Sequence, residues 1–332
     1  MHGRAGGRLD RAGVALAVVS VAWTAWTGQS SFGRALPVAA LQVACAGIYA
    51  LARLGSRRGR VVVPLGALAV GGALAVAGLV LPGRGALGYA NADAALDVQL
   101  GVAAAMVAVT LRRGRGAALA AGTAGAFALA AVVSGSVAAV VTLCLVAVLA
   151  VVATARVPAP GAGAVAVLVV VAAAAFTGVA RAGGAAPRVV ERIADAVDER
   201  RVALWADAAV LAHDHPFTGA GAGRFQDLSP TARSDRDAHW AHSDFLQQAA
   251  EGGAVALLLL LAAFGWGFAR LWAADDSGPF PTLGAMALAA LGVHAAIDYV
   301  LRFPVLTLVG VALVGAATAP DRAKDQAAGS PG

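Results

Sequence analysis

Residues 249–272 read AAEGGAVALLLLLAAFGWGFARLW, an apolar run entered through Glu251 and closed by Arg270. A helix rises about 1.5 Å per residue, so a run of this length crosses a hydrocarbon layer roughly 30 Å thick. Lipid offers no partner to backbone N–H and C=O groups, and a helix satisfies them within the segment itself. Working outward, comparable runs lie at 12–28, 35–52, 61–81, 94–111, 117–133, 137–155, 162–180, 281–300 and 303–319. The runs at 117–133 and 137–155 are joined only by Ser134-Gly135-Ser136 and leave a re-entrant pair open. The sequence therefore predicts an all-α fold: a polytopic membrane helical bundle of about ten transmembrane helices, with one long extracytoplasmic loop containing short amphipathic helices.

Composition agrees. The 332 residues are 59% hydrophobic and 13% charged, with mean hydropathy +0.75. Soluble domains carry about 45–50% apolar and about 25% charged residues. Water-soluble enzymes, fibrous chains and disordered tails are excluded. Cys45 and Cys144 both sit inside apolar runs, which argues against a disulfide framework. The first thirty residues read as an uncleaved first helix, because no clean small-x-small cleavage site follows them.

The basic residues orient the chain. With the N-terminus inside, Arg4, Arg8, Arg11, Arg53, Arg57, Arg58, Arg60, Arg112, Arg113, Arg115, Arg156, Arg270, Arg322 and Lys324 fall on the cytoplasmic side. Only Arg34, Arg84 and Arg302 fall in short outer loops. Positive-inside bias of this size places both termini in the cytoplasm. No basic cluster with interleaved aromatics marks a soluble module, so nucleic acid is not an expected partner. The expected organisation is a seven-span bundle over 1–180, an extracytoplasmic catalytic loop over 181–248, three spans over 249–319, and a disordered cytoplasmic tail over 320–332.

Chemistry concentrates in and around that loop. Stretch 187–212 carries apolar residues at roughly three-four spacing, broken near residues 198–200, and predicts two short amphipathic helices. His213, His215, His239 and His242 lie in or beside the loop. His294 precedes Asp298 by four residues, which would put both on one helix face, and Arg302 follows in a short outer loop. Ionisable groups in lipid are costly and face a cavity or a partner. By topology, the loop residues, Glu251, His294, Asp298 and Arg302 converge on the outer membrane face. The histidine spacings match no metalloprotease motif, so neither a metal nor a cofactor is expected. The run Gly219-Ala220-Gly221-Ala222-Gly223 is either a turn that brings backbone up to an anion beside Arg224, or a plain loop turn. His242 stands just before a helix start that Ser243 or Asp244 could cap. There the positive end of the helix dipole favours a neutral, proton-accepting imidazole suited to general-base work. A capping and interface-anchoring cluster is the blander reading of the same residues.

Three ordered elements carry a resemblance. AHSDFLQQAAEGG over 241–253 followed by a leucine run, Arg201-Val-Ala-Leu-Trp205 with HPFTGAGAGRF over 215–225, and His294-x-x-x-Asp298 with Pro304 together resemble the O-antigen ligase / O-antigen polymerase superfamily. The resemblance implies a metal-independent glycosyltransferase of the bacterial cytoplasmic (inner) membrane. Such an enzyme moves a glycan from an undecaprenyl-diphosphate-type lipid carrier to an acceptor hydroxyl on the outer face. It implies His242 as base and Arg201 and Arg224 as diphosphate binders. His215, Asp244, Glu251, His294, Asp298 and Arg302 are the further substrate-binding candidates. The implied partners are a lipid-linked glycan donor, an envelope glycan, lipid or protein acceptor, and membrane lipid. Ser243 stands where the family pattern has Asn. The alternatives are a polysaccharide or lipid transporter or flippase, or a non-catalytic membrane subunit. The clean spans, with ionisable groups gathered near one face, weigh against transport.

Overall fold

The computed structural model describes residues 2–57, 59–80, 86–111, 114–133, 199–235, 238–274 and 278–320. The expected spans at 137–155 and 162–180, the first of the two loop helices and the C-terminal tail from 321 lie outside the described residues. All regular structure among the described residues is helical. The long elements are α1 (His2–Thr27), α2 (Phe32–Ser56), α3 (Val62–Val80), α4 (Ala90–Leu111) and α5 (Arg115–Val133). Three shorter helices follow among the described residues: α6 (Glu199–Asp214), α7 (Phe225–Leu228) and α8 (Pro230–Ser234). Then come α9 (Asp244–Trp272), α10 (Phe280–Ile297) and α11 (Pro304–Ala317). Among the described residues five helices are long and apolar enough to cross a membrane: Gly7–Thr27, Gly33–Ser56, Ala90–Leu111, Asp244–Trp272 and Phe280–Ile297.

Helix α10 is the centre of the bundle. It packs on α4, α9 and α11, while α2 lies on α11 and α1 on α9. Ala285, Ala287, Ala289, Ala290, Ala295 and Ala296 are wholly buried along it. Apolar side chains gain nothing by leaving lipid for protein, so helices in a membrane hold together through close van der Waals packing of small residues. Gly284 accordingly faces Leu271 and Ala317, and Gly267 faces Leu288. The outward faces of α1 and α2 show Val14, Val18, Val43 and Leu51 largely exposed, as a lipid-facing surface requires.

The described residues of segment 199–243 are folded on a small core. Leu204, Trp205 and Ala208 of α6 pack with Phe225, Ala232, Ala238, Ala241, Leu246 and Ala250, so this small core is shared with the start of α9. Asp207 fastens α6 to α8 by accepting from the Ser229 hydroxyl and from Thr231 N. Ser229 itself caps α8 by accepting from Ala232 N at 3.0 Å.

Helix α9 begins five residues before the apolar run and is interrupted inside it. Gly253 has φ 70° and ψ −171°, a conformation essentially confined to glycine. Across this break runs the loop 216–221. Ala254 N donates to Pro216 O at 2.8 Å, Ala220 N to Ala250 O and Gly221 N to Glu251 O, each at 2.9 Å. Backbone groups freed by the break are thus satisfied by the loop. A methyl on Gly253 would stand 2.3 Å from the Phe217 carbonyl. Gly253→Ala is expected to cost on the order of 1–3 kcal/mol in backbone strain alone, read as a lowered Tm in detergent. Gly265→Ala, in regular helix with nothing within 4 Å, should leave Tm unchanged or slightly raised.

Candidate active site

The site grows from the end of α10. Asp298 terminates that helix: its N–H donates to His294 O at 2.8 Å, and its backbone turns extended at φ −156° and ψ 175°. The expected shared helix face of His294 and Asp298 is therefore not formed, because the helix stops one residue short of the aspartate. His294 stays inside the bundle, 1% exposed, with Nδ1 against Ala290 O at 3.2 Å. Asp298 instead turns its carboxylate toward Arg201 of α6 and His242.

That carboxylate is fully buried and organises its surroundings. Oδ2 accepts from Tyr89 Oη at 2.7 Å, from Asn91 Nδ2, and from Arg201 at 3.3 Å. Oδ1 accepts from Tyr299 N at 2.8 Å and lies 3.2 Å from His242 Nδ1. Arg201 spends a second nitrogen on Ile297 O at 3.1 Å. Burial by itself pushes the Asp298 pKa up, but the hydrogen bond with His242 and the Arg201 charge outweigh it and hold the carboxyl below its usual range. The Tyr89 hydroxyl is pushed the other way, first by burial and then by the Asp298 charge, so it remains a donor.

An ionised carboxylate only accepts hydrogen bonds, so His242 Nδ1 must be the nitrogen that carries the proton. In the neutral ring Nε2 is then the basic atom. Nε2 has no hydrogen-bond partner among the described residues and is not among their sealed, unpartnered polar atoms. His242 holds this pose through an uncommon backbone, φ 48°. Trp205 Nε1 donates to its carbonyl at 3.0 Å, and Ser243 caps α9 directly behind it by accepting from Leu246 N at 3.3 Å.

The rest of the 241–253 motif is scaffolding for that pose. Gln247 Oε1 accepts from Ala241 N at 2.7 Å, and Gln247 Nε2 donates to Glu251 Oε1 at 2.7 Å. Glu251 also accepts from Phe225 N at 3.2 Å and pairs with Arg302 at 3.2 Å. The Arg302 guanidinium lies over the Trp240 ring, 3.7 Å from its centroid. Asp244 accepts from Leu301 N at 2.8 Å and, through its own N–H, donates to Asp298 O at 3.2 Å.

Of the residues expected from sequence, His242, Arg201 and Asp298 are in direct contact, and Asp244, Glu251 and Arg302 brace them. His215 is exposed at the start of the loop. Arg224 makes no side-chain hydrogen bond or ion pair among the described residues. The glycine run is no open anion nest. Gly219, Gly221 and Gly223 all take positive φ, but Gly219 is pressed on the Glu251–Gly252 backbone and Gly223 on the Arg34 side chain. Arg34 clamps this loop by donating to Gly223 O at 2.7 Å and pairing with Asp227 at 2.6 Å. Sequence reasoning missed Tyr89 and Asn91. Their signal was weak: two polar side chains at the mouth of the fourth apolar run. Among the described residues no three metal-ligating side chains are gathered.

Because Asp298 binds its proton more weakly when folded, its contribution to stability is fully present above the ordinary carboxylate value of about 4 and is lost as pH falls through the lower native value. The share of stability contributed by Asp298 should therefore hold from pH 7 to about 4 and be lost below, read as the Tm difference between wild type and Asp298→Asn across that range. In Asp298→Asn the part of that acid-range loss due to this residue should vanish. An unchanged acid limb in the variant would assign it to other carboxylates.

Comparison with known proteins gives a family match over part of the chain. Residues 100–261, just under half of the chain, match the family model described as O-Antigen ligase. The match takes in the second half of α4, α5, the segment with Arg201, Arg224 and His242, and α9 as far as residue 261, through Glu251 and the Gly253 break. Asp298 and Arg302 lie beyond it. No curated protein and no solved structure matches the chain. By this matched segment, within a helical membrane-type bundle, the chain is similar to the O-antigen ligase family.

Proposed function

We propose that this protein transfers a glycan from a polyprenyl-diphosphate carrier to an acceptor hydroxyl on the outer face of the bacterial cytoplasmic membrane. The observation that carries the reading is the His242 imidazole, with Nδ1 tied to buried Asp298 and Nε2 open. Nε2 accepts the proton of the acceptor hydroxyl as its oxygen attacks the anomeric carbon. The bond from that carbon to the diphosphate oxygen breaks, and the diphosphate leaves with the electron pair. A diphosphate is a stable leaving group when cations hold it, so no separate acid is required. Guanidinium suits this task, since it stays charged near lipid and binds phosphate through paired N–H groups. Arg224, whose donors are uncommitted among the described residues, takes the diphosphate. Arg201 lends charge while fixing Asp298. Asp298 is a positioning residue: it sets the tautomer and direction of His242. Both termini lie in the cytoplasm in this reading, and the 181–248 segment lies outside.

The test is expression in the producing bacterium with Arg224→Ala, followed by profiling of envelope glycans and lipid-linked precursor. Loss of one polymer with build-up of its precursor on the outer leaflet is expected. Precursor trapped on the cytoplasmic leaflet would assign the protein to transport, and an unchanged profile would remove Arg224 from the site. Cysteine labelling of residue 215 in intact cells checks the orientation. Labelling only after permeabilisation would reverse it.

A further inference from the structure

At the end of the bundle remote from His242 lies a second charged cluster that the transfer chemistry does not use. Arg270, in the last turn of α9, is 2% exposed. Its Nε lies 3.4 Å from Asp10 Oδ1 of α1 and donates to Tyr49 Oη of α2 at 3.4 Å. Tyr49 Oη shares a further hydrogen bond, at 3.0 Å, with Thr318 Oγ1 at the end of α11. Arg53 of α2 gives Nη1 to the same Asp10 oxygen at 2.7 Å, and its Nε is sealed without a partner. Four helices thus meet around two guanidinium groups and a single carboxylate. Asp10 is the only acidic side chain among the described residues at this end, while Arg8, Arg11 and Arg57 stand exposed around it. The two terminal nitrogens of Arg270 have no hydrogen-bond partner among the described residues, and neither is among their sealed polar atoms. The Asp10 side chain is 40% exposed, so the cluster is reached from the surface.

We propose that this cluster binds the phosphate of an anionic phospholipid headgroup. Charge calls for an anion there. Two guanidiniums share one carboxylate oxygen, so one positive charge stays uncompensated where the helices pack, and an uncompensated buried charge is costly. Guanidinium remains ionised near lipid and presents paired N–H groups to phosphate oxygens. Arg270 has its Nε occupied and its terminal N–H groups free, which is the end that such pairing uses. Position assigns the anion to a lipid instead of to solution. The cluster lies at the ends of membrane-type helices, and at the same level Leu51, Leu54 and Trp272 are exposed. Aliphatic side chains there suit acyl chains, and tryptophan suits the interface. Basic pockets between membrane helices hold anionic headgroups by the same physics. A phospholipid seated here links α1, α2, α9 and α11. The inference needs no part of the transfer reading. Only the naming of the leaflet as cytoplasmic rests on the orientation proposed above.

The test uses the full chain in a non-ionic detergent, titrated with phosphatidylglycerol or with phosphatidylcholine of the same acyl chains. Retention is read by native mass spectrometry and Tm is followed in parallel. Phosphatidylglycerol should stay bound and raise Tm, since a ligand of the folded state stabilises it. Phosphatidylcholine, whose choline cation meets the surrounding arginines, should do neither. Arg270→Met keeps the bulk and leaves Asp10 paired with Arg53; it should weaken phosphatidylglycerol retention about tenfold or more and erase the Tm rise. Arg115→Gln, an exposed arginine at the same end but outside the cluster, should retain the lipid as the wild type does. Equal retention of the two lipids overturns the site, and that result is read on the wild type whether or not the methionine variant folds. Equal losses in Arg270→Met and Arg115→Gln would assign the binding to diffuse surface charge and overturn it as well. A Tm rise of the same size with inorganic phosphate alone overturns the assignment to lipid.

Discussion

His242→Ala is expected to lower glycan transfer about 10²–10⁴-fold, the range that a positioned general base contributes. Lipid-linked precursor should accumulate in the membrane at the same time. The variant should remain folded. Asp298 keeps four of its five hydrogen-bonding neighbours, namely Tyr89, Asn91, Arg201 and Tyr299, when the imidazole is removed. Transfer rate and Tm therefore separate: the first collapses and the second moves little. A variant that transfers at the wild-type rate would remove His242 from the chemistry.

Asp298→Ala is expected to have the largest effect on stability. Removing one partner from a buried charged cluster typically costs about 3–5 kcal/mol, because the remaining groups lose their counter-charge without regaining water. Here the orphaned groups are the Arg201 guanidinium, the Tyr89 hydroxyl, the Asn91 amide and the Tyr299 N–H, all gathered on a side chain with no solvent exposure. A pronounced drop in Tm and loss of transfer should appear together. Asp298→Asn separates the two. It keeps an acceptor oxygen but not the charge, so it should fold better than the alanine variant. Its transfer should still fall, because an amide no longer fixes the proton on His242 Nδ1. A shift of the transfer pH profile in Asp298→Asn, beyond any change in Tm, marks the positioning role. A profile identical to wild type would reduce Asp298 to a structural tie.

The two variants also divide what was legible in advance from what was not. The histidine and its motif could be read from the chain, since Ser243, Gln247, Glu251 and the glycines stand at fixed helical spacings and act on near neighbours. The carboxylate that serves His242 is 56 residues away. In the sequence it sat beside His294, the wrong histidine, because helical spacing was assumed to continue through residue 298. Helix α10 stops at Ile297 instead, and the extended backbone swings Asp298 to another partner. Tyr89 and Asn91, more than two hundred residues away from Asp298, gave almost no local sign of belonging to the same cluster. The glycine run was legible as a turn, but its purpose was not. Only the packed chain shows its glycines lying against the break in α9 and the side chain of Arg34.

Sequence alone determined that the chain is helical and membrane-type. Helical hydrogen bonds join residues four apart, and a lipid environment allows a long apolar run few other ways to satisfy its backbone. Tertiary structure decided which side chains meet: His242 with Asp298, Glu251 with Arg302, and Asp10 with Arg270. Those pairings depend on how small-residue helix faces pack and where helices end. Both are set by the shapes of several segments at once, and no single stretch of sequence contains them.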